Sequence, residues 1–295
     1  MRTTRRVGLV LASAAAFGVG LIAFPGSAGA AVPNCTPPTT TTNDSCVKNV
    51  VAPSNAPDTF GIAKLFTRTR TNFENIGNCL VGGCVNQVTL DYDNDFTITP
   101  GTIPTCSTTK ADGGGQDIAG VWAACGPGAG TSANAYVSTQ IAPTGFGCTA
   151  NPCVSGQAQA FGGPGQPPIN ACTLIFNGPR TSTNQPTVTL YARAPVTPAQ
   201  CNTNPATNHD GTTNVVLKGT ITKSPLTGFG KRLTVPDINT LSPITLFDFY
   251  AYVKRGTYFR AQCPAGASPW KVRAIFHYTG TGEPDDTSTS FQACS

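Results

Sequence analysis

From about residue 60 onward the chain alternates apolar and polar side chains in short runs. "FGIAKLFTRTRT" (60–71), "QVTLDY" (87–92), "TSANAYVSTQI" (131–141), "PTVTLYARA" (186–194) and "NVVLKGTIT" (214–222) each show the period of two that buries one face of a strand. "KRLTVPDI" (231–238), "PITLFDFYAYVK" (243–254), "TYFRAQC" (257–263) and "WKVRAIFHY" (270–278) continue it. Gly, Pro, Asn and Asp fill the gaps, and beyond residue 30 no stretch keeps a 3.6-residue apolar period over three turns. "ADGGGQDIAG" (111–120) and "FGGPGQPPIN" (161–170) are too rich in Gly and Pro for strands and read as long connections. Many short strands with turns between them predict an all-β protein, an antiparallel β-sandwich of two packed sheets.

The last third is the most regular part. Phe247, Phe249, Ala251 and Val253 form one alternate set, and Asp248, Tyr250, Tyr252 and Lys254 the other. Arg255-Gly256 reads as a tight hairpin turn in which Gly takes a positive φ. Trp270, Val272, Ala274, Phe276 and Tyr278 then share a face opposite Lys271, Arg273, Ile275 and His277. A slip of one residue would bury Lys271 and Arg273, so the register is well specified.

The N-terminus differs. "MRTTRR" precedes an apolar run and then the small residues Ala28-Gly29-Ala30, the layout of a secretory signal peptide cut after Ala30. Residues 31–58, with "TPPTTTTND" at their centre, read as a Pro/Thr-rich lead-in. Residues 59–295 carry the strand pattern throughout and read as one β-sandwich domain. No second hydrophobic span follows, so no membrane span is expected after processing.

Export changes how the 12 cysteines are read. In an exported chain they imply disulfides, and local pairing predicts Cys35–Cys46, Cys79–Cys84, Cys106–Cys125, Cys148–Cys153, Cys172–Cys201 and Cys263–Cys294. Zinc thiolates would need Cys-x-x-Cys pairs or His partners, and the chain has neither pattern and only 2 His. Removal of the leader takes three of the 19 basic residues and none of the 14 acidic ones, leaving a net charge near +2. With charged residues at only 11% of the chain, the surface carries no strong field, and nucleic acid is not an expected partner.

Candidate chemistry is sparse. Asp91, Asp93 and Asp95 in "DYDNDF" are the densest carboxylates, read either as a polar turn or as the start of a calcium loop. Phe96 stands where such a loop needs Gly, and Thr102 where it needs Glu. No other cofactor is implied. A glycosidase acid–base pair would have to come from this Asp cluster, since Glu74 and Glu283 are the only glutamates. His209 and His277 lack a Gly-x-Ser-x-Gly elbow. Between 240 and 280 the basic residues outnumber Asp248 and interleave with rings. If the last three strands are adjacent, Tyr250, Tyr252, Tyr258, Arg260, Lys271 and Arg273 share a face that suits an anionic cell-wall polysaccharide. The plainer reading is the wet side of a sheet.

The order of segments carries a resemblance. "LDYDNDFTITPGTIPTCS", "ACGPGAGTSANAYV", "CTLIFNGP", "TVTLYARA", "GFGKRLTVPDI", "KRGTYFRAQCP" and "WKVRAIFHYTG" with the terminal Cys294 resemble a group of uncharacterised secreted β-sandwich proteins of actinobacterial type. The resemblance implies the fold, export and the Cys106–Cys125 and Cys263–Cys294 bridges, and no activity. The expectation is an exported non-catalytic protein that binds or decorates the cell envelope. The alternatives are a secreted carbohydrate-active enzyme using the Asp cluster and a purely structural surface protein.

Overall fold

The computed structural model describes residues 35–37, 45–52, 60–71, 84–130, 132–138, 154–161, 168–238, 245–279 and 285–294. The expected leader at 1–30 and much of the expected lead-in at 31–58 lie outside these residues, as do the sulfurs of the expected Cys79–Cys84 and Cys148–Cys153 bridges. The other four expected disulfides are formed: Cys35–Cys46, Cys106–Cys125, Cys172–Cys201 and Cys263–Cys294.

The strands are, in chain order, β1 (Ser45–Ala52), β2 (Gly61–Ile62), β3 (Lys64–Thr71), β4 (Cys84–Asp93), β5 (Phe96–Ile98), β6 (Gly156–Phe161) and β7 (Ile169–Gly178). β8 (Thr187–Val196), β9 (Thr213–Lys223), β10 (Phe229–Val235), β11 (Thr245–Val253), β12 (Phe259–Ala261), β13 (Trp270–Thr279) and β14 (Asp286–Gln292) follow. Eleven of them form one sheet in the order β1-β3-β11-β6-β7-β8-β9-β10-β4-β13-β14, and β2-β12-β5 form a small second sheet. Every pairing is antiparallel.

The expected pair of stacked sheets is therefore replaced by one large sheet curled nearly into a barrel. Twist accumulates strand by strand, and a sheet this wide curls until its two edges approach. Eleven is an odd number, so the edge strands β1 and β14 must run parallel where they meet. They close without a backbone ladder. Alternate side chains of β14 reach alternate backbone groups of β1 instead. Asp286 Oδ2 accepts from Ser45 N at 2.6 Å, and Ser288 Oγ from Val47 N at 2.9 Å. Ser290 Oγ accepts from Asn49 N at 3.2 Å, and Gln292 Oε1 from Val51 N at 2.6 Å. Gln292 Nε2 returns a bond to Val51 O at 2.8 Å, and the Ser45 hydroxyl also donates to Asp286. The amides that an edge strand would leave unpaired are thus satisfied by side chains.

Several local expectations change for identifiable reasons. Ser45–Ala52, placed in the lead-in, is a full strand flanked by Pro/Thr-rich sequence. The 111–120 connection holds parts of two helices, α1 (Thr108–Asp112) and α2 (Ile118–Cys125), too short to show periodicity over three turns. Ser107 and Asp117 cap them, and Gly113 ends α1 at φ 51°. The run 131–141 makes only isolated bridges at Tyr136 and Ser138 among its described residues. The turn at Arg255–Tyr258 forms, with Gly256 at φ 45°, but it does not make a hairpin. Both edges of β11 are already occupied, by β3 and β6, so the chain passes to β12 in the small sheet.

The barrel wall is covered outside along β7 and β8. Cys172, Leu174, Phe176 and Tyr191 pack there against Trp122, Tyr136 and the Cys106–Cys125 staple. The Trp122 and Tyr136 rings meet edge-on at 4.8 Å. This explains why β7 is buried on both sides. The small sheet lies at the end of the barrel where β4 finishes and β13 begins. Its Phe96, Phe259 and Ala261 share a buried cluster with Leu65, Tyr92 and Trp270. Trp270 Nε1 donates to Gln262 O at 2.7 Å, and Cys263–Cys294 ties this end to the chain just beyond β14.

The seam predicts a face-specific stability effect. Ser290→Ala leaves the Asn49 amide buried without a partner and is expected to cost about 1–3 kcal/mol. Thr289→Ala, on the exposed side of the same strand, is expected to stay within about 0.5 kcal/mol of wild type. Urea unfolding followed by tryptophan fluorescence reads both, and equal effects would count against the seam.

Candidate functional site

The inward face of the barrel does not fill its own interior. The core-facing residues of β6, β7 and β8 include Ala158, Ala160, Ala171, Ala192 and Ala194, a run of minimal side chains on three adjacent strands. Packed barrels of this kind place branched residues at such positions. Here the short side chains leave a cavity of about 340 Å³. Leu190, Val215, Leu217 and Leu233 point into it and remain only partly buried, because they face space and not other side chains. Among the described residues no Asp, Glu, Lys, Arg or His lines it.

A few polar groups interrupt this apolar wall. Thr67 Oγ1 donates to Asn49 Oδ1 at 2.6 Å across the β1–β3 pair. The Tyr92 hydroxyl lies near Thr67. The Tyr258 hydroxyl and the Thr173 hydroxyl, both on cavity-lining residues only 2% exposed, have no hydrogen-bond partner. Burial pushes the Tyr258 phenol above the ordinary tyrosine range, with neighbouring Tyr92 adding to the effect. Burial also raises Tyr92, with nearby Thr67 pulling the other way. Both rings are neutral at physiological pH.

The six residues expected to share a basic, ring-bearing face are not brought together. Tyr250 and Tyr252 lie on β11. Tyr252 is 1% exposed and stacks on Phe66 at 5.9 Å, while Arg68 holds the neighbouring Asp248 at 2.6 Å. Tyr258 lines the cavity. Arg260 is in the small sheet, where its guanidinium donates to Phe60 O. Lys271 lies over the Phe229 ring at 5.0 Å, and Arg273 pairs in register with Asp91. Both are on β13, separated from β11 by β14, β1 and β3 around the barrel. Strands consecutive in sequence are not neighbours in this sheet, so the shared face does not assemble.

The three aspartates are likewise each engaged by protein groups. Asp91, fully buried, accepts from Arg232 Nε at 2.8 Å, Arg232 Nη2 at 2.7 Å and Ser224 Oγ at 2.7 Å. Asp93 accepts from the Asp95 and Lys271 amides, each at 3.1 Å, which makes "DND" a turn. Burial raises the Asp93 carboxyl above the ordinary aspartate range, with those amides pulling the other way. Asp95 accepts from Gln262 Nε2 at 2.6 Å. Among the described residues no group of three or more His, Cys, Asp or Glu is arranged to hold a metal.

The histidines are each paired with a carboxylate. His209 Nδ1 meets Asp117 Oδ2 at 2.7 Å at the start of α2. His277 lies between Asp285 Oδ2 at 2.7 Å and Thr89 Oγ1 at 3.4 Å. That connectivity matches a nucleophilic triad, but the Thr89 residue is only 3% exposed, which denies a substrate access to its hydroxyl.

No protein-family model, curated protein or solved structure matches this chain. The cavity was also missed in the sequence. Its signal is the alternation of alanines in "QAQAF" and "ARAPV", which reads as an ordinary strand until its face is known to point inward.

The Asp91–Arg232 pair yields a direct expectation. Arg232→Leu leaves a fully buried carboxylate without its cation, and the expected loss is about 3–5 kcal/mol. Addition of a calcium chelator to the wild type leaves its Tm unchanged. Thermal unfolding measures both, and a chelator-sensitive Tm would return these aspartates to the role of cation ligands.

Proposed function

We propose that this is an exported, non-catalytic binding protein that holds an apolar small molecule inside its barrel. The carrying observation is the uncharged cavity of about 340 Å³, lined mainly by aliphatic side chains. Its size falls within the range of roughly 300–1,000 Å³ typical of small-molecule sites. An apolar space of this kind stays dry when empty, and an apolar guest removes both its own surface and the wall from water.

The outer surface supports a protein that works in water. Lys218 projects outward from β9, and Lys271 and Arg273 from β13. A lipid-facing barrel would carry an apolar band there. The signal-like N-terminus and the four disulfides support export to an oxidising compartment. The resemblance to uncharacterised secreted proteins agrees with that placement. An interior ligand also replaces an anionic polysaccharide on the outside as the favoured partner, because the residues required for that surface are dispersed.

The neutral fluorophore N-phenyl-1-naphthylamine tests the reading. Saturable one-to-one binding is expected, and each methylene added to a competing alkyl chain should strengthen displacement about fourfold until the cavity is full. Ala160→Phe and Ala192→Phe, on separate strands, are each expected to weaken binding at least tenfold. Lys218→Ala, on the outer face, should not change it. Non-saturable binding, or unchanged affinity in both filled variants of unaltered Tm, would overturn the proposal.

A further inference from the structure

The polar groups inside the barrel bear on the chemistry of the guest. A buried hydroxyl with no partner is uncommon in a folded protein, since leaving it unmade forfeits its solvation for nothing in return. Two of the residues that line this cavity carry one, Tyr258 and Thr173, each with its oxygen tucked within the wall. They belong to different structural elements. Tyr258 enters from the turn before β12 and packs among Val137, Ile175 and Ala251, while Thr173 is on β7, two residues along the same inward face from Ile175. Along a strand that spacing is about 7 Å. The side-chain amide nitrogen of Asn49, behind Thr67, is a third buried donor without a partner.

We infer that the guest is a neutral amphiphile, an apolar body bearing an uncharged hydroxyl or carbonyl, with that group hydrogen-bonded to Tyr258 once its side chain turns toward the lumen, and Thr173 available as a second anchor by a change of rotamer. This rests on the lumen being a ligand site, and it adds the class of molecule. A hydroxyl or ketone satisfies an orphan phenol at no cost in charge. A carboxylate or ammonium would enter a space with no charged side chain among the described residues of its wall, and a buried ion without a counter-ion is strongly disfavoured. The raised phenol pKa of Tyr258 agrees, since the ring stays a neutral donor. A pure hydrocarbon would fit the apolar wall but leave both hydroxyls unmatched, so it is the weaker guest.

The test uses displacement of N-phenyl-1-naphthylamine by four ten-carbon competitors compared at equal free concentration: 1-decanol, 2-decanone, decane and decanoate at pH 8. The alcohol and ketone are expected to bind about five- to tenfold more tightly than decane, and at least a hundredfold more tightly than decanoate. Tyr258→Phe is expected to erase most of the gap between alcohol and alkane while leaving fluorophore affinity unchanged. The same variant should raise the Tm of the ligand-free protein, because it removes an unsatisfied buried group. A hydroxyl with only a structural role would instead lower it.

Failure of the fluorophore to bind at all would overturn the lumen reading itself. Normal fluorophore binding with equal affinity for alcohol and alkane would overturn only the class of ligand. Preference for decanoate would do the same. A gap that survives in both Tyr258→Phe and Thr173→Val would place the anchor elsewhere, or on a bridging water, and would refute the assignment to these residues.

Discussion

The barrel depends on how its first and last strands meet. An odd set of antiparallel strands brings two parallel edges together, and a parallel ladder has a less favourable hydrogen-bond geometry. β14 solves this with side chains. Asp286, Ser288, Ser290 and Gln292 occupy alternate positions and meet Ser45, Val47, Asn49 and Val51, so one period of two is matched to another. Each bond contributes only about 1 kcal/mol net. Their larger consequence is geometric. Without them β1 and β14 are open edges, and the apolar inner face of β3, β4 and β13 is exposed to water.

The closed wall then makes the interior consequential. Eleven strands enclose more space than the inward side chains fill, and the alanines of β6, β7 and β8 concentrate the deficit on one side. Opposite them, Leu65, Tyr92 and Phe259 also line the cavity, but they are backed by a buried cluster that includes Trp270. The wall thus has a side backed by large side chains and a side of small ones. The first side carries the seam, the small sheet and the Cys263–Cys294 staple. The second is braced from outside by the helical segment and the Cys106–Cys125 and Cys172–Cys201 bridges. External bracing lets a wall stay rigid while its inner surface remains unfilled.

Much of the strand content was legible from alternation, and the opposed faces of 270–278 appear as expected, with Trp270, Val272, Ala274 and Phe276 buried. The closure was not legible, because it depends on which strands pair across long separations. "SCVKNVVA" and "DTSTSFQ" carry the seam, yet the first is flanked by Pro and Thr and the second has only one large apolar residue. The same limit applies to the site. Tyr258 was grouped with Tyr250 by parity along the chain, but the turn at Arg255–Tyr258 carries it from the large sheet toward the lumen. Alternation reports that two faces differ. It does not report which face looks into a cavity.

The most direct measurement of the central claim is native mass spectrometry of the protein recovered from the medium of a secreting host without detergent. The account predicts a one-to-one adduct of roughly a few hundred daltons, the mass of a guest that fits a small-molecule cavity. It should be released by organic solvent and recovered as an uncharged, hydroxyl- or carbonyl-bearing molecule. A protein that carries only water and buffer ions, and that takes up no apolar compound when exposed to a lipid extract of its host, would contradict it.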